Sequence, residues 1–347
     1  MSGNYNDVVV TSRVRLARNA AGLPYPYKLN DNRALQLARK VYEAVNKPLA
    51  QAAEGGAGEN DYAMYRMESI GDNSGDVLRE KHLISADLLE NKKYGAAIIS
   101  GDETVSIMVG EEDHIREQCI LQGFALTEAY HKVNAVDDEI SRAVTFAYDP
   151  KLGYLTACPT NVGTGMRASA MMFLPGLSIT RNLEQCVGAV ARLNMTIRGV
   201  YGEGSEADGY LYQISNQKTL GVSEQEILSS VQASIAHIAE AELRARDELY
   251  KSGENVLKDR ILRAYGVLCH AYMLDSKEFM KLLAYVKLGV YYGLIKVSDT
   301  QRMEKLVTDG QPANIMNLSG KPLDGEERDV FRAAYVAKTL KSICKNK

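Results

Sequence analysis

Hydrophobic periodicity changes character once along this chain, and that change constrains the fold more than any other feature. In the first two-thirds, short apolar runs alternate with helical stretches. Val8–Val10 is β-branched, and Ala96–Ile99 and Val105–Val109 read as strands joined by a turn. Ala143–Tyr148 and Tyr154–Ala157 read as a hairpin around Asp149-Pro150-Lys151-Leu152-Gly153, and Met195–Tyr201 and Tyr210–Ile214 as further strands. Asn32–Val45, a segment beginning at Ile115–Leu121 and Arg181–Leu193 carry helical spacing, while Gln51–Asn60 is Ala/Gly-rich and reads as a surface loop. Ser223-Glu224-Gln225-Glu226 is a capping box that opens a helix to about Lys251, closed by Ser252-Gly253. Everything beyond is helical: Val256–Leu274, Ser276–Ile295, Thr300–Thr308 and Asp324–Ser342. The chain is therefore expected to be α+β, with a mainly antiparallel sheet flanked by helices over residues 1–252 and an all-helical domain over residues 253–347.

Composition removes several function classes. Lys and Arg number 41 against 44 Asp and Glu, so a globally basic nucleic-acid binder is excluded and no direct nucleic-acid partner is expected. The five cysteines form no C-x-x-C pair, which argues against a disulfide scaffold or a structural zinc site and fits a reducing cytoplasm. Met1–Asp7 is polar, unlike a signal peptide. The longest apolar run, Leu282–Ile295, is broken by Lys287, and a membrane span needs about 20 apolar residues. The histidines are scattered and H-E-x-x-H is absent, so no protein metal site is expected. G-x-x-x-x-G-K-[ST], H-R-D and D-F-G are absent too, which leaves neither a Walker loop nor a eukaryotic-type protein kinase.

Four stretches carry chemistry. Ser12-Arg13-Val14-Arg15, in extended conformation, puts Arg13 and Arg15 on one face, where two guanidiniums repel unless an anion sits between them. It also reads as a solvated basic edge. Glu111-Glu112-Asp113-His114-Ile115-Arg116 puts three carboxylates at a strand-to-helix junction, more than an acidic N-cap requires. Cys158-Pro159-Thr160-Asn161-Val162-Gly163-Thr164-Gly165-Met166-Arg167-Ala168-Ser169 reads as a strand, a Gly-rich turn and a helix opening near Thr164. Such a turn binds anions, which would also relieve Arg167 in the first helical turn and favour the thiolate of Cys158. An ordinary connection with an inert cysteine is the alternative. Arg198-Gly199-Val200-Tyr201-Gly202-Glu203-Gly204-Ser205-Glu206 is a flexible loop bracketed by Arg and Glu.

Together these stretches resemble the ATP:guanido phosphotransferases, the family of creatine and arginine kinases, and within it the bacterial protein-arginine kinases. The resemblance runs over nearly the whole chain and implies a guanido-kinase-type catalytic domain. It implies that ATP is bound by Ser12, Arg13, Val14, Arg15 and Leu16, by His82, by Arg116, by Arg167, Ala168, Ser169, Ala170 and Met171, and by Arg198, Gly199, Val200, Tyr201, Gly202 and Glu203. Mg²⁺ is implied with ATP, held largely by phosphate and water. On the acceptor side the resemblance implies that Glu112 and Glu203 grip the guanidinium, with Glu203 favoured as base and Glu112 as orienter. Cys158 is implied as electrostatic support.

The S-R-V-R stretch begins at residue 12, where phosphagen kinases carry a preceding helical domain, and small residues follow Glu203. Both suit an arginine on a protein surface. In the tail, Arg328-Asp329-Val330-Phe331-Arg332-Ala333 resembles the phosphoarginine pocket of the bacterial enzymes, although a salt-bridged helix face is the plain alternative. The expected reaction is ATP plus protein L-arginine giving ADP plus protein Nω-phospho-L-arginine, in stress response and in marking proteins for degradation, with allosteric control by phosphoarginine. Implied partners are substrate proteins with accessible arginines, an activator of the McsA type, a ClpC-type unfoldase, a heat-shock repressor and a second copy of the chain. A free-arginine phosphagen kinase and a phosphoarginine-reading adaptor are the competing readings.

Overall fold

The structure, a computed structural model, describes residues 5–46, 61–91, 93–200 and 207–346. The loop expected at residues 51–60, and residues 201–206 with Tyr201, Gly202 and Glu203, lie outside them. Along the chain run β1 (Val9–Arg18), α1 (Asp31–Val45), β2 (Tyr62–Arg66), α2 (Asp72–Glu80), α3 (Ala86–Glu90), β3 (Ala96–Ser100), β4 (Val105–Val109), β5 (Ile115–Gln122) and α4 (Leu126–Ala143). A small hairpin of β6 (Tyr148–Asp149) and β7 (Gly153–Tyr154) follows, shorter than expected because α4 occupies the chain up to Ala143. Then come β8 (Met166–Phe173), α5 (Pro175–Ile179), α6 (Leu183–Ala191), β9 (Met195–Gly199), β10 (Leu211–Asn216) and α7 (Glu224–His270). The tail holds α8 (Ser276–Tyr291), β11 (Ile295–Val297), α9 (Thr300–Asp309), α10 (Pro312–Ser319), α11 (Gly325–Ile343) and β12 (Cys344–Asn346).

Eight strands form one antiparallel sheet in the order β2-β3-β4-β5-β1-β8-β10-β9. The period of two gives each face its own character. One face carries Val14, Leu16, Ile98, Ile107, Ala168, Ala170, Met172 and Ile214 into a core with α1, α4 and the first half of α7. The opposite face is covered in two places. Ala97, Ile99 and Met108 lie under Leu83, Ile84 and Leu88 of the α2–α3 segment. Phe173 and Leu211 lie under the helical tail with Leu257, Ile261, Phe279 and Leu283. Between the covers, β1, β5 and β8 present their polar residues.

The helix opened by the capping box does not stop at Ser252-Gly253. α7 continues to His270, broken only at Gly253, where φ is −154° and ψ 41°. Its first half serves the core under the sheet and its second half serves the tail core. To the helical tail the structure adds a two-stranded ribbon, β11 with β12.

A buried ion pair anchors the sheet behind the polar face. Arg18 Nε lies 3.0 Å from Asp137 Oδ1 and Nη2 2.9 Å from Oδ2, and Arg18 Nη1 donates to the Thr164 carbonyl at 3.0 Å. The Tyr154 ring covers the guanidinium at 3.6 Å. Glu117 is buried on the same side, and burial, then the neighbouring Asp137 charge, lift its pKa well above the carboxylate range. Asp137→Ala strands a buried guanidinium and is expected to cost about 3–5 kcal/mol, read by urea denaturation.

Candidate active site

Side-chain alternation assembles a cluster of arginines. Arg13 and Arg15 share one face of β1. Arg15 pairs directly with Arg167 on β8, and Ala17 with Arg116 on β5, so all four guanidiniums occupy one side of the sheet. Like charges directly opposite across strands are destabilising. Burial, then Arg116 and Arg167, lower the Arg13 pKa to about 10. Burial, then Arg13, Arg116 and Arg167, push the Arg15 pKa well below its ordinary value. One carboxylate, Glu111, faces four guanidiniums, and a cluster with that excess of positive charge defines an anion site. Arg198, on β9, joins the rim of the same region.

At two places the local structure differs from what the sequence leads one to expect. Ile115–Gln122 is strand β5, not a helix, so Glu111, Glu112 and Asp113 sit in a tight β4–β5 loop and are no N-cap. Met166–Phe173 is strand β8, so no helix N-terminus follows the Gly-rich turn, and Arg167 faces its anion from a sheet.

The three carboxylates divide their work. Glu111 is buried, and both its oxygens bind Arg116 Nη1, which fixes that guanidinium. Asp113 Oδ1 accepts from Asn19 Nδ2 and from the Ala157 amide, both at 2.6 Å. The latter bond places Cys158 beside the loop. Glu112 alone is exposed, and it lines the cavity. Cys158 lines the same cavity, and its Sγ lies 3.0 Å from Thr160 Oγ1.

The Gly-rich turn is held from beneath. Thr219 Oγ1 donates to the carbonyls of Thr160 (2.9 Å) and Val162 (2.8 Å), and the Gly163 carbonyl accepts from the Tyr154 amide at 2.8 Å. Gly163 has φ +113°, and a Cβ there would stand 2.2 Å from the Thr219 carbonyl oxygen. Gly163→Ala is therefore expected to cost more than about 2 kcal/mol in thermal unfolding and to displace Cys158.

Two adjoining chambers open on this face. One, of about 510 Å³, is lined by Glu112, Cys158, Arg167, Arg198 and Gln217. The other, of about 550 Å³, is lined by Arg13, His82, Ile84, Met108, Gln311 and Pro312. Arg15 and Arg116 line both and stand at the junction. His82 is held neutral: burial, then the Arg13 charge, lower its pKa to about 4.

Of the segments expected to bind nucleotide, strand alternation puts Arg13, Arg15, Arg167, Ser169 and Met171 on one face; the three arginines line the chambers, whereas Ser169 is buried against Gln213 and Met171 packs on the tail core. Alternation turns Ser12, Val14, Leu16, Ala168 and Ala170 into the core. Ser12 Oγ bonds the Gly123 carbonyl and the Ala125 amide. Gly199 ends β9, and Val200 lines the second chamber. Glu111, Asp113, Asn19, Gln311 and Pro312 were missed. The acidic triplet was the only signal for the first two, and none marked the others.

The R-D-x-x-R-A segment lies on α11, away from the chambers. Arg332 is buried, its Nε donating to the Gly310 carbonyl (2.8 Å) and its Nη1 to the Leu274 carbonyl (2.6 Å) and to Asp329 Oδ1 (2.5 Å). It is committed to the interior, while Arg328, Asp329, Val330 and Phe331 are half-buried and Ala333 is in the tail core.

A sheet face of arginines shared by two chambers, one edged by a carboxylate and a thiol, suits phosphoryl transfer. Residues 40–245 match the family profile "ATP:guanido phosphotransferase, C-terminal catalytic domain", and residues 254–347 match "Protein-arginine kinase McsB C-terminal domain". Among curated proteins, the protein-arginine kinase of Caldanaerobacter subterraneus subsp. tengcongensis is 44% identical over 337 residues, covering 96% of this chain and 97% of that protein. That of Clostridium kluyveri is 43% identical, covering 97% and 95%. The chain belongs to the protein-arginine kinase family of ATP:guanido phosphotransferases, and it is a kinase.

Solved structures share the fold. A lombricine kinase superposes with a TM-score of 0.58 at 24% identity, covering 69% of this chain and 67% of its own. The duplicated taurocyamine kinase of Schistosoma mansoni superposes with a TM-score of 0.60 at 19% identity, covering 86% and 48%. No described helix is long and apolar enough to cross a membrane.

Proposed function

We propose that the protein transfers the γ-phosphoryl group of ATP to a guanidino nitrogen of arginine side chains on proteins. The observation that carries this is the placement of Arg15 and Arg116 at the junction of two chambers, with Arg13 and His82 on one side and Glu112 and Cys158 on the other. ATP enters the chamber of Arg13 and His82, and its γ-phosphoryl reaches the junction. The acceptor guanidinium enters the chamber of Glu112 and Cys158. Catalysis of this transfer is mostly positioning and charge neutralisation, which fixed guanidiniums supply. The resemblance implies Mg²⁺ with ATP, and it would be carried largely by the phosphates and water. Bound that way, it would add to the neutralisation of phosphate charge.

A guanidinium is not nucleophilic until it loses a proton, since its pKa exceeds about 12. Glu112 orients it by charge-assisted hydrogen bonds and Glu203 takes the proton, with Cys158 adding electrostatic support. By resemblance, the segment Arg328-Asp329-Val330-Phe331-Arg332-Ala333 reads phosphoarginine and regulates the enzyme. Arg332 also fixes its helix through the Gly310 and Leu274 carbonyls. The same resemblance supports a cytoplasmic role in stress response and protein degradation, with an activator, an unfoldase, a repressor and a second copy of the chain as partners. An ADP-release assay with an unfolded arginine-rich protein and with free arginine tests the acceptor. Turnover with the protein is expected, and turnover confined to the free amino acid would make the chain a phosphagen kinase.

A further inference from the structure

The nucleotide chamber is not built by the sheet alone. Gln311 and Pro312, at the start of α10 in the tail, line it together with Arg79 and Glu80 at the end of α2. Glu80 is 9% exposed, and its carboxylate grips the tail. Oε1 accepts from the Ala313 amide at 2.9 Å, and Oε2 accepts from the Asn314 amide at 2.9 Å and from Asn314 Nδ2 at 2.8 Å. From the other side of the same turn, Arg332 holds the Gly310 carbonyl. The 310–314 turn is thus clamped between a carboxylate of the catalytic part and a guanidinium of the R-D-x-x-R-A helix.

We infer that Glu80 is a positioning residue for nucleotide binding, acting by docking α10 as a wall of the chamber. The inference rests on the reading of that chamber as the ATP site. Docking does two things. It sets Gln311 and Pro312 in place, and it satisfies the Glu80 charge with backbone amides at a helix N-terminus. With α10 undocked the chamber loses a wall, and a bare carboxylate faces incoming phosphates. Nucleotide affinity therefore depends on the tail, and nucleotide in turn holds the tail in place.

The test uses the full chain, with Mg-ADP as probe, followed by calorimetry and by hydrogen exchange over residues 312–319. In the wild type, Mg-ADP is expected to slow exchange in α10. Glu80→Gln keeps one acceptor but places an amide donor against a backbone N–H. It is expected to weaken Mg-ADP binding and raise KM for Mg-ATP about tenfold, with kcat within about twofold, and to lose the nucleotide-dependent protection. Asn314→Ala removes only one of the three donors and is expected to cost about two- to threefold, which keeps the test alive if Glu80→Gln fails to fold. A purely structural role would alter exchange equally with and without Mg-ADP. That result, or unchanged Mg-ADP affinity in a folded variant, would overturn the inference while leaving the kinase reading intact. A wild type that binds no Mg-ADP would overturn both.

Discussion

Arg15→Met is expected to lower kcat/KM for phosphoryl transfer about a thousandfold while making the protein more stable by about 1 kcal/mol. The two effects have one origin. Arg15 stands at the junction of the chambers, directly opposite Arg167 and two register positions from Arg13. In the apo protein this is unfavourable: burial and three neighbouring guanidiniums lower its pKa. Methionine fills similar volume without the charge, so the repulsion that Arg15 has with Arg13, Arg116 and Arg167 is removed. With ATP bound the sign reverses, because each charge-assisted contact contributes about 1.5–3 kcal/mol and grows as charge spreads over the transferred group. Melting temperatures with and without Mg-ATP, together with initial rates, check both halves. A variant both inactive and less stable would mean that Arg15 serves the fold.

Glu112→Gln and Glu111→Gln, neighbours in sequence, are expected to fail differently. Glu112 is exposed at the acceptor chamber and engages no other described side chain by ion pair or hydrogen bond, so its amide variant keeps the fold. Its kcat is expected to fall about a hundred- to a thousandfold, with KM for Mg-ATP nearly unchanged. Glu111 lines the same chamber, but both its oxygens are taken by Arg116. It holds Arg116, so its variant frees a guanidinium that both chambers share. A rise in KM for Mg-ATP of about tenfold and a loss of stability are expected there. Matching kinetic defects in the two variants would contradict the division of labour.

The site was more legible in the sequence than the elements that carry it. The arginines of β1, β5, β8 and β9, together with Glu112 and Cys158, belong to motifs whose residue types betray anion and guanidinium chemistry. β5 did not betray itself as a strand. Its sequence, with Ile115, Cys119 and Ile120 apolar, imitates helical spacing because both faces are covered, one holding Glu117 in the core and the other Gln118. β8 misled for a related reason. Ala168, Ser169, Ala170 and Met171 are small or helix-favouring, and only pairing with β1 and β10 makes them extended. The tail posed the opposite problem. Arg328 and Arg332 lie four apart on α11, so they read as one surface pair, yet Arg332 is drawn inside by carbonyls from two other segments, at Leu274 and Gly310. Partners that distant in sequence leave no local trace, and the same holds for Glu80 and α10.

The central claim is that this site phosphorylates arginine on proteins, and mass spectrometry of the product at neutral pH tests it most directly, because the P–N bond is acid-labile. The protein would be incubated with Mg-ATP and an unfolded arginine-rich protein, beside a Glu203→Ala variant. Phosphate on arginine side chains with the wild type, and none with the variant, is the predicted result. Phosphate on serine, threonine or tyrosine, or phosphoarginine undiminished in the variant, would contradict it.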